Sequence, residues 1–142
     1  MARLAQVGEL RKAEKLAAEA SLRGAMAEES SAHAARDRQA EQRDLAESEW
    51  GRLLGSGRPD PGLFSLGAAW LVEQQDLLKS QELNLSIAQN LTEKARIEHA
   101  ISLAREATIN KVGMQARKAM VKHLTERQET QVVDQLIWGA NR

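Results

Sequence analysis

Apolar residues recur at three- and four-residue steps along two long stretches of this chain, with one short segment between them. The first stretch opens with Leu4, Val7 and Leu10 and continues mostly in alanine, at Ala13, Ala17 and Ala20. It closes with Leu45, Trp50, Leu53 and Leu54. The second carries Trp70, Leu77 and Leu91, then Ile97, Ile101, Ala104 and Val112, then Met120 and Leu124. Such steps bring side chains to one face of a helix. Neither stretch contains proline, and both are rich in the residues that lose least on entering a helix. The pattern predicts helix one over about 2–54 and helix two over about 65–138.

The divider is "GRLLGSGRPDPGLFSLGAAW", residues 51–70, which holds both prolines and five of the nine glycines. Gly55 and Gly57 suit a left-handed helix end. Pro59 and Pro61 remove backbone donors and disfavour helix in the residue before each. The turn is therefore expected over about 55–64. The breakers gather where the chain must reverse. The fold class that follows is all-α: one long two-helix antiparallel coiled-coil hairpin, a single unit over 1–142 whose second helix is longer. Gln74, Gln81 and Asn84 fall on or near its seam, so core specificity is modest. Helix one, of roughly 50 residues, reaches ~75 Å and helix two, of roughly 70, ~110 Å. The final ~15–20 residues then lack a partner or fold beside the N-terminus. Gly8 and Gly24 each cost about 1 kcal/mol against alanine. Lys15–Glu19, Glu19–Arg23 and Arg43–Glu47 stand at the i,i+4 spacing that pairs charges on a helix.

Composition narrows the core. Of 142 residues 42% are hydrophobic, but much of that is alanine, and only 3% are aromatic: Trp50, Phe64, Trp70 and Trp138. The interior must be thin, built from Leu, Ile, Val and Ala. Twenty acids balance twenty bases, which argues against wholesale nucleic-acid binding, since that leaves a basic footprint. There is no cysteine, hence no disulfide framework and no thiolate chemistry; a reducing cytosol fits. Glu9, Arg11 and Lys12 interrupt the start before a signal-peptide apolar run can form. The longest charge-free apolar run, from Pro61 to Val72, is too short to span a bilayer.

Catalytic chemistry is not visible. His33, His99 and His123 share no metal-ligand spacing. "GSGRPDPG" matches no phosphate-binding loop. Glu28, Glu29, Asp37 and Glu41 read as a solvated face, whereas acid–base work needs a desolvated cleft. The expectation is a chain that is no enzyme and takes no cofactor, metal or small-molecule ligand.

Two features point to protein partners instead. Residues 105–127 carry six Lys/Arg against two Glu, with Lys111, Lys118 and Lys122 on one helical face. They read as a solvated face near a helix C-terminus or as a surface that docks on an acidic protein. Nucleic acid ranks behind both, because no aromatic platform interleaves the bases. Trp50 and Trp70 flank the turn and either pack on each other or serve as interface anchors. Trp138 reads as a contact for a partner.

The N-terminal "LAQVGELRKAEKLAAEASL" (4–22) and the C-terminal "ERQETQVVDQLIWGANR" (126–142), with its Val133-Asp134-Gln135 step, frame a hairpin that resembles the flagellar FliJ family and its type III secretion relatives of the YscO type. The resemblance implies a non-enzymatic stalk of a flagellar or type III protein-export apparatus, serving bacterial flagellum biogenesis, chemotaxis and protein transport. It implies three partners: the export ATPase hexamer, the cytoplasmic domain of an FlhA-type export-gate protein, and export chaperones. It also implies a cytoplasmic location with peripheral association at the inner membrane face. By position, gate contacts would fall at Gln39, Arg43, Ala46, Trp50, Trp70, Leu71 and Leu77. Gln39, Trp50 and Trp70 suit the family's pattern, and Arg43 and Ala46 depart from it. Contacts with the ATPase ring would fall at Lys111, Lys118, Lys122, Val133, Asp134, Leu136, Ile137 and Trp138. Rival expectations are a self-associating structural coiled coil, a prefoldin-like or adaptor hairpin unrelated to export, and a nucleic-acid-associated coiled coil using residues 105–127.

Overall fold

A computed structural model describes residues 2–57 and 60–140. They form two helices, α1 (Ala2–Gly55, 54 residues) and α2 (Pro61–Ala140, 80 residues), packed antiparallel as a hairpin. The second helix is the longer, and no strand occurs among the described residues.

Helix α2 begins four residues earlier than the breaker count suggests, and the reason is local. The Asp60 carboxylate accepts the Gly62 N–H at 3.0 Å, and its carbonyl accepts the Phe64 N–H at 2.9 Å. Asp60 is thus the N-cap and Pro61 the first helical residue, where its fixed φ fits and its missing N–H removes a donor that would have no partner. Pro61 starts a helix here. Pro59 lies outside the described residues. At the end of α1 the Ser56 hydroxyl donates to the Leu53 carbonyl at 2.8 Å. The left-handed position falls to Gly57, with φ at 78°; Gly55 stays helical.

The hairpin comprises two compact units, Ala18–His99 and Met1–Ala17 with Ala100–Arg142. In Ala18–His99 most inward residues follow an alternation of four and three, the heptad of a coiled coil, with Glu19, Ala35, Ala40 and Ala68 half-buried beside it. On α1 they run Ala18, Leu22, Ala25, Glu29, Ala32, Arg36, Gln39, Arg43, Ala46 and Trp50. On α2 they run Leu71, Gln74, Leu78, Gln81, Leu85, Ala88, Thr92, Ala95 and His99. Ala46 is 0% exposed and Thr92 1%, the deepest positions in the unit. Large side chains meet small ones. The Trp50 ring lies over Gly67, where a Cβ would stand 2.5 Å from it. The Thr92 hydroxyl is 3.2 Å from the Ala25 carbonyl across the seam and 3.0 Å from the Ala88 carbonyl on its own helix. Gln39 donates to the Gln74 side-chain oxygen at 2.7 Å.

This seam differs from the expected apolar stripes. Of the α1 stripe only Leu4 and Trp50 turn inward; Val7, Leu10, Ala13, Ala17, Ala20, Leu45, Leu53 and Leu54 are exposed. On α2, Trp70, Leu77, Leu91, Ile97, Ile101, Ala104, Val112, Met120 and Leu124 are all exposed. Gln74 and Gln81 do face the seam, and Asn84 does not. Close packing selects pairs whose summed volumes fill the gap between two helices. Trp50 over Gly67 follows that rule, polar pairs such as Gln39–Gln74 also occupy the seam, and the leucines off the four-and-three spacing are left outside.

In the other unit the inward positions are Leu4, Gly8, Arg11 and Lys15 on α1, and Ser102, Glu106, Ile109, Gly113 and Ala116 on α2. Leu4 approaches within 3.7 Å of where a Gly113 Cβ would be, and Ile109 within 3.9 Å of the equivalent point at Gly8. Both distances are ordinary van der Waals contacts, so each glycine faces a branched side chain without being required by it. Lys15 pairs across the helices with Glu106 at 3.2 Å instead of with Glu19. Glu19–Arg23 is present at 4.0 Å, while Arg43 binds Asp44 at 2.9 Å instead of Glu47. That hydrogen bond holds the Arg43 guanidinium above its ordinary pKa. Ala2, Leu4 and Arg117 line one groove, so α1 starts beside Arg117. From there to Ala140 every residue of α2 is exposed, a single helix of about 36 Å.

Candidate functional site

The seven turn-side residues separate into two groups. Gln39, Arg43, Trp50 and Leu71 are half-buried seam residues, and Ala46 is fully enclosed. Ala46 therefore contributes packing between the helices and is covered in the isolated hairpin. Trp70 and Leu77, each 42% exposed, are the members of this set that present apolar surface. The ring partner of Trp50 is Phe64, at 4.6 Å between centroids and 50° between planes. The staple at the turn is thus Trp50–Phe64 over Gly67, in place of mutual packing of Trp50 and Trp70, one of the two readings of the sequence. Phe64 was missed because it falls inside the segment read as turn; the Asp-Pro start of α2 is the signal that would have placed it on a helix.

The tail brings its candidates into the open. Lys111, Lys118, Lys122, Val133, Asp134, Leu136, Ile137 and Trp138 are all exposed, with Leu136 and Trp138 at 68%. Lys122 lies 4.0 Å from Glu126. At 100° per residue, Val121, Leu124, Val132 and Leu136 fall within about a third of the helix circumference. Lys118 and Lys122 border that sector. Glu129 falls between those two lysines, and Met120, Val133, Ile137 and Trp138 lie on other faces, so the tail exposes apolar side chains around much of its circumference.

Charge is segregated in a way the neutral total conceals. Residues 18–99 carry fourteen Asp/Glu against nine Lys/Arg, a net of −5. Residues 1–17 with 100–142 carry eleven Lys/Arg against six Asp/Glu, a net of +5. Counting by segment would have exposed this in the sequence, but only once the boundary was known.

Among the described residues no group of three His, Cys, Asp or Glu could hold a metal ion, and no helix is long and apolar enough to cross a membrane. His33 and His123 are exposed. His99 is half-buried in the seam, 3.6 Å from the Glu19 carboxylate, and its Nε2 makes no hydrogen bond. Comparison with models of protein families, with curated proteins and with solved structures gives no match.

Proposed function

We propose that this chain is a non-enzymatic stalk or adaptor of a flagellar or type III protein-export apparatus. In this reading it links the export ATPase hexamer to the export-gate domain and handles export chaperones. It works in the cytoplasm and at the inner membrane face. The observation that supports it best is the exposed helix over residues 117–140, which presents Val121, Leu124, Val133, Leu136, Ile137 and Trp138 along a single uncovered element. Such an element suits the mouth of a ring-shaped partner, where rim contacts hold a central helix. Trp70 and Leu77 supply a second, apolar surface near the turn for the gate. The sequence resemblance at 4–22 and 126–142 gives the reading its direction. Truncation after Glu129 tests it: the hairpin should keep its helicity while stimulation of a hexameric export ATPase is lost. Stimulation that survives the truncation overturns ring insertion.

A second reading is favoured by the many large apolar side chains that α2 turns outward, among them Ile87, Leu91 and Ile97 at 50%, 49% and 53% exposure. These suit an adaptor coiled coil wrapped by helical partners unrelated to export. Pull-down with the export ATPase and with the soluble gate domain separates the two readings, since the adaptor binds neither.

A further inference from the structure

We infer that the chain forms a symmetric antiparallel dimer in which one side of the Ala18–His99 unit, centred on Asn84, packs against the same side of a second copy. A groove between the helices marks this side, lined by Ser21, Gly24 and Glu28 on α1 and by Leu91, Lys94 and Glu98 on α2. Steps of seven residues hold a coiled-coil position to one side of its helix. From Leu91 they lead back to Asn84, Leu77 and Trp70, and from Lys94 to Ile87, Ser80 and Glu73. All of these are exposed, with Trp70 and Leu77 at 42%, Ile87 at 50% and Leu91 at 49%. The order of the residues selects the occupant. Glu73 stands near one end of the row and Lys94 near the other, and neither makes an ion pair among the described residues. A second copy laid antiparallel with Glu73 opposite Lys94 makes that pair twice. The same alignment sets Leu77 against Leu91, Trp70 against Ile97, and Asn84 against its own copy at the two-fold axis, where a polar residue fixes the register. A parallel copy opposes like charges at both ends.

Helix α1 meets the same requirement. Gln39 on Gln74 and Thr92 on Ala25 fix the register of the unit and bring the stretch from Ser31 to Ala35 level with Asn84. Arg38 lies two steps of seven from Gly24, on the side of α1 that carries Glu28. The alignment chosen by Glu73 and Lys94 therefore brings Glu28 of one copy to Arg38 of the other, with the small Ser31 and Ala35 between. The side is near charge balance although the unit carries a net of −5: Glu28, Glu49, Glu73 and Glu98 stand against Arg38, Arg52 and Lys94. From Trp70 to Ile97 it runs ~40 Å, and two helices side by side make it ~20 Å wide. The product, ~800 Å2 per copy, is what a stable interface of standard size buries. Every residue of the contact lies in one unit, and a self-complementary surface closes a dimer without further parts. The inference does not rest on the export reading. It concerns the chain alone and is tested with no export component present, so the two fail separately.

The experiment is sedimentation equilibrium of the purified full-length chain at concentrations up to about 100 μM. A dimer is expected. Glu73→Lys or Lys94→Glu alone should weaken it about tenfold, because each substitution sets like charges together twice. Mixed in equal amounts, the two variants should form a one-to-one heterodimer. The double variant Glu73→Lys/Lys94→Glu should pair with itself as the wild type does. Both positions are exposed and off the seam, so circular dichroism of the variants should match the wild type, and recovery on mixing cannot come from misfolded chains. The sequence has no cysteine, so Asn84→Cys places a lone thiol beside the axis. Mild oxidation should link two copies there, whereas Gln75→Cys, exposed on the opposite side of α2, should stay unlinked. A wild-type monomer at every concentration overturns the inference. So does a dimer indifferent to the reversals, a failure of the two variants to pair, or equal linkage at both thiol positions.

Discussion

The Ala18–His99 unit and the tail beyond Ala116 are built from the same helix-forming residues, yet they use them in opposite ways. In the unit, alanines, glycine and glutamines face inward and their spacing matches large residues to small ones. In the tail, valine, leucine and isoleucine stand exposed over residues 117–140 with no alanine-lined surface opposite. Burial therefore follows complementarity between the two helices and not the hydrophobicity of either one. Leu85, 6% exposed, lies inside on the four-and-three spacing of the seam; Leu83, 62% exposed, belongs to the same helix and lies outside.

Truncation of a leucine should break the comparison most sharply. Leu85→Ala should cost about 2–3 kcal/mol, at the low end for buried leucine because the seam is thin. Leu124→Ala, in the tail, should stay within about 0.5 kcal/mol. Urea titration followed by helicity reads both, and equal losses would mean that the tail is packed as the unit is. The glycines come next. Gly67→Ala should lose about 1–3 kcal/mol, because the Trp50 ring must shift to admit the methyl. Gly24→Ala should gain up to about 1 kcal/mol, as an ordinary helical glycine with open space around it. Opposite signs in thermal melts of the two proteins are the expected result. The smallest effect concerns charge. Lys15→Ala removes a cross-helix pair at 3.2 Å and should cost about 0.5–1 kcal/mol, fading as salt rises. Lys122→Ala removes only a pair at 4.0 Å within the tail and should leave the urea midpoint unchanged.

The two helices, the place of the turn and the excess length of α2 were legible in the residues, because backbone propensity and breakers act locally. The seam was not. A count of apolar residues picks out Leu10, Leu45, Leu77 and Ile97, all of which are exposed. The heptad is carried instead by Ala18, Ala25, Ala32 and Ala46 on one strand and Leu71, Leu78 and Leu85 on the other. Neither series is persuasive alone; the signal is the match between them, which requires the register. The same holds for Ala46. Its position suggested a partner contact, while its 0% exposure follows from the residue across the seam. The tail candidates were easier, since a residue with no second helix beside it depends on its own helix only.

The Trp50–Gly67 contact has a kinetic consequence. With the Trp50–Phe64 ring contact beside it, it closes a short loop at the turn, so it costs little chain entropy to form. It is also selective: a slip of one heptad along α2 would bring the Trp50 ring against Gln74, which has no room for it. A pair formed early that admits one alignment acts like the bottom stop of a zip, after which each further layer closes in step. Substitutions at Trp50, Phe64 and Gly67 should then slow folding, whereas those at Leu22 and Ala95, far from the stop, should chiefly speed unfolding.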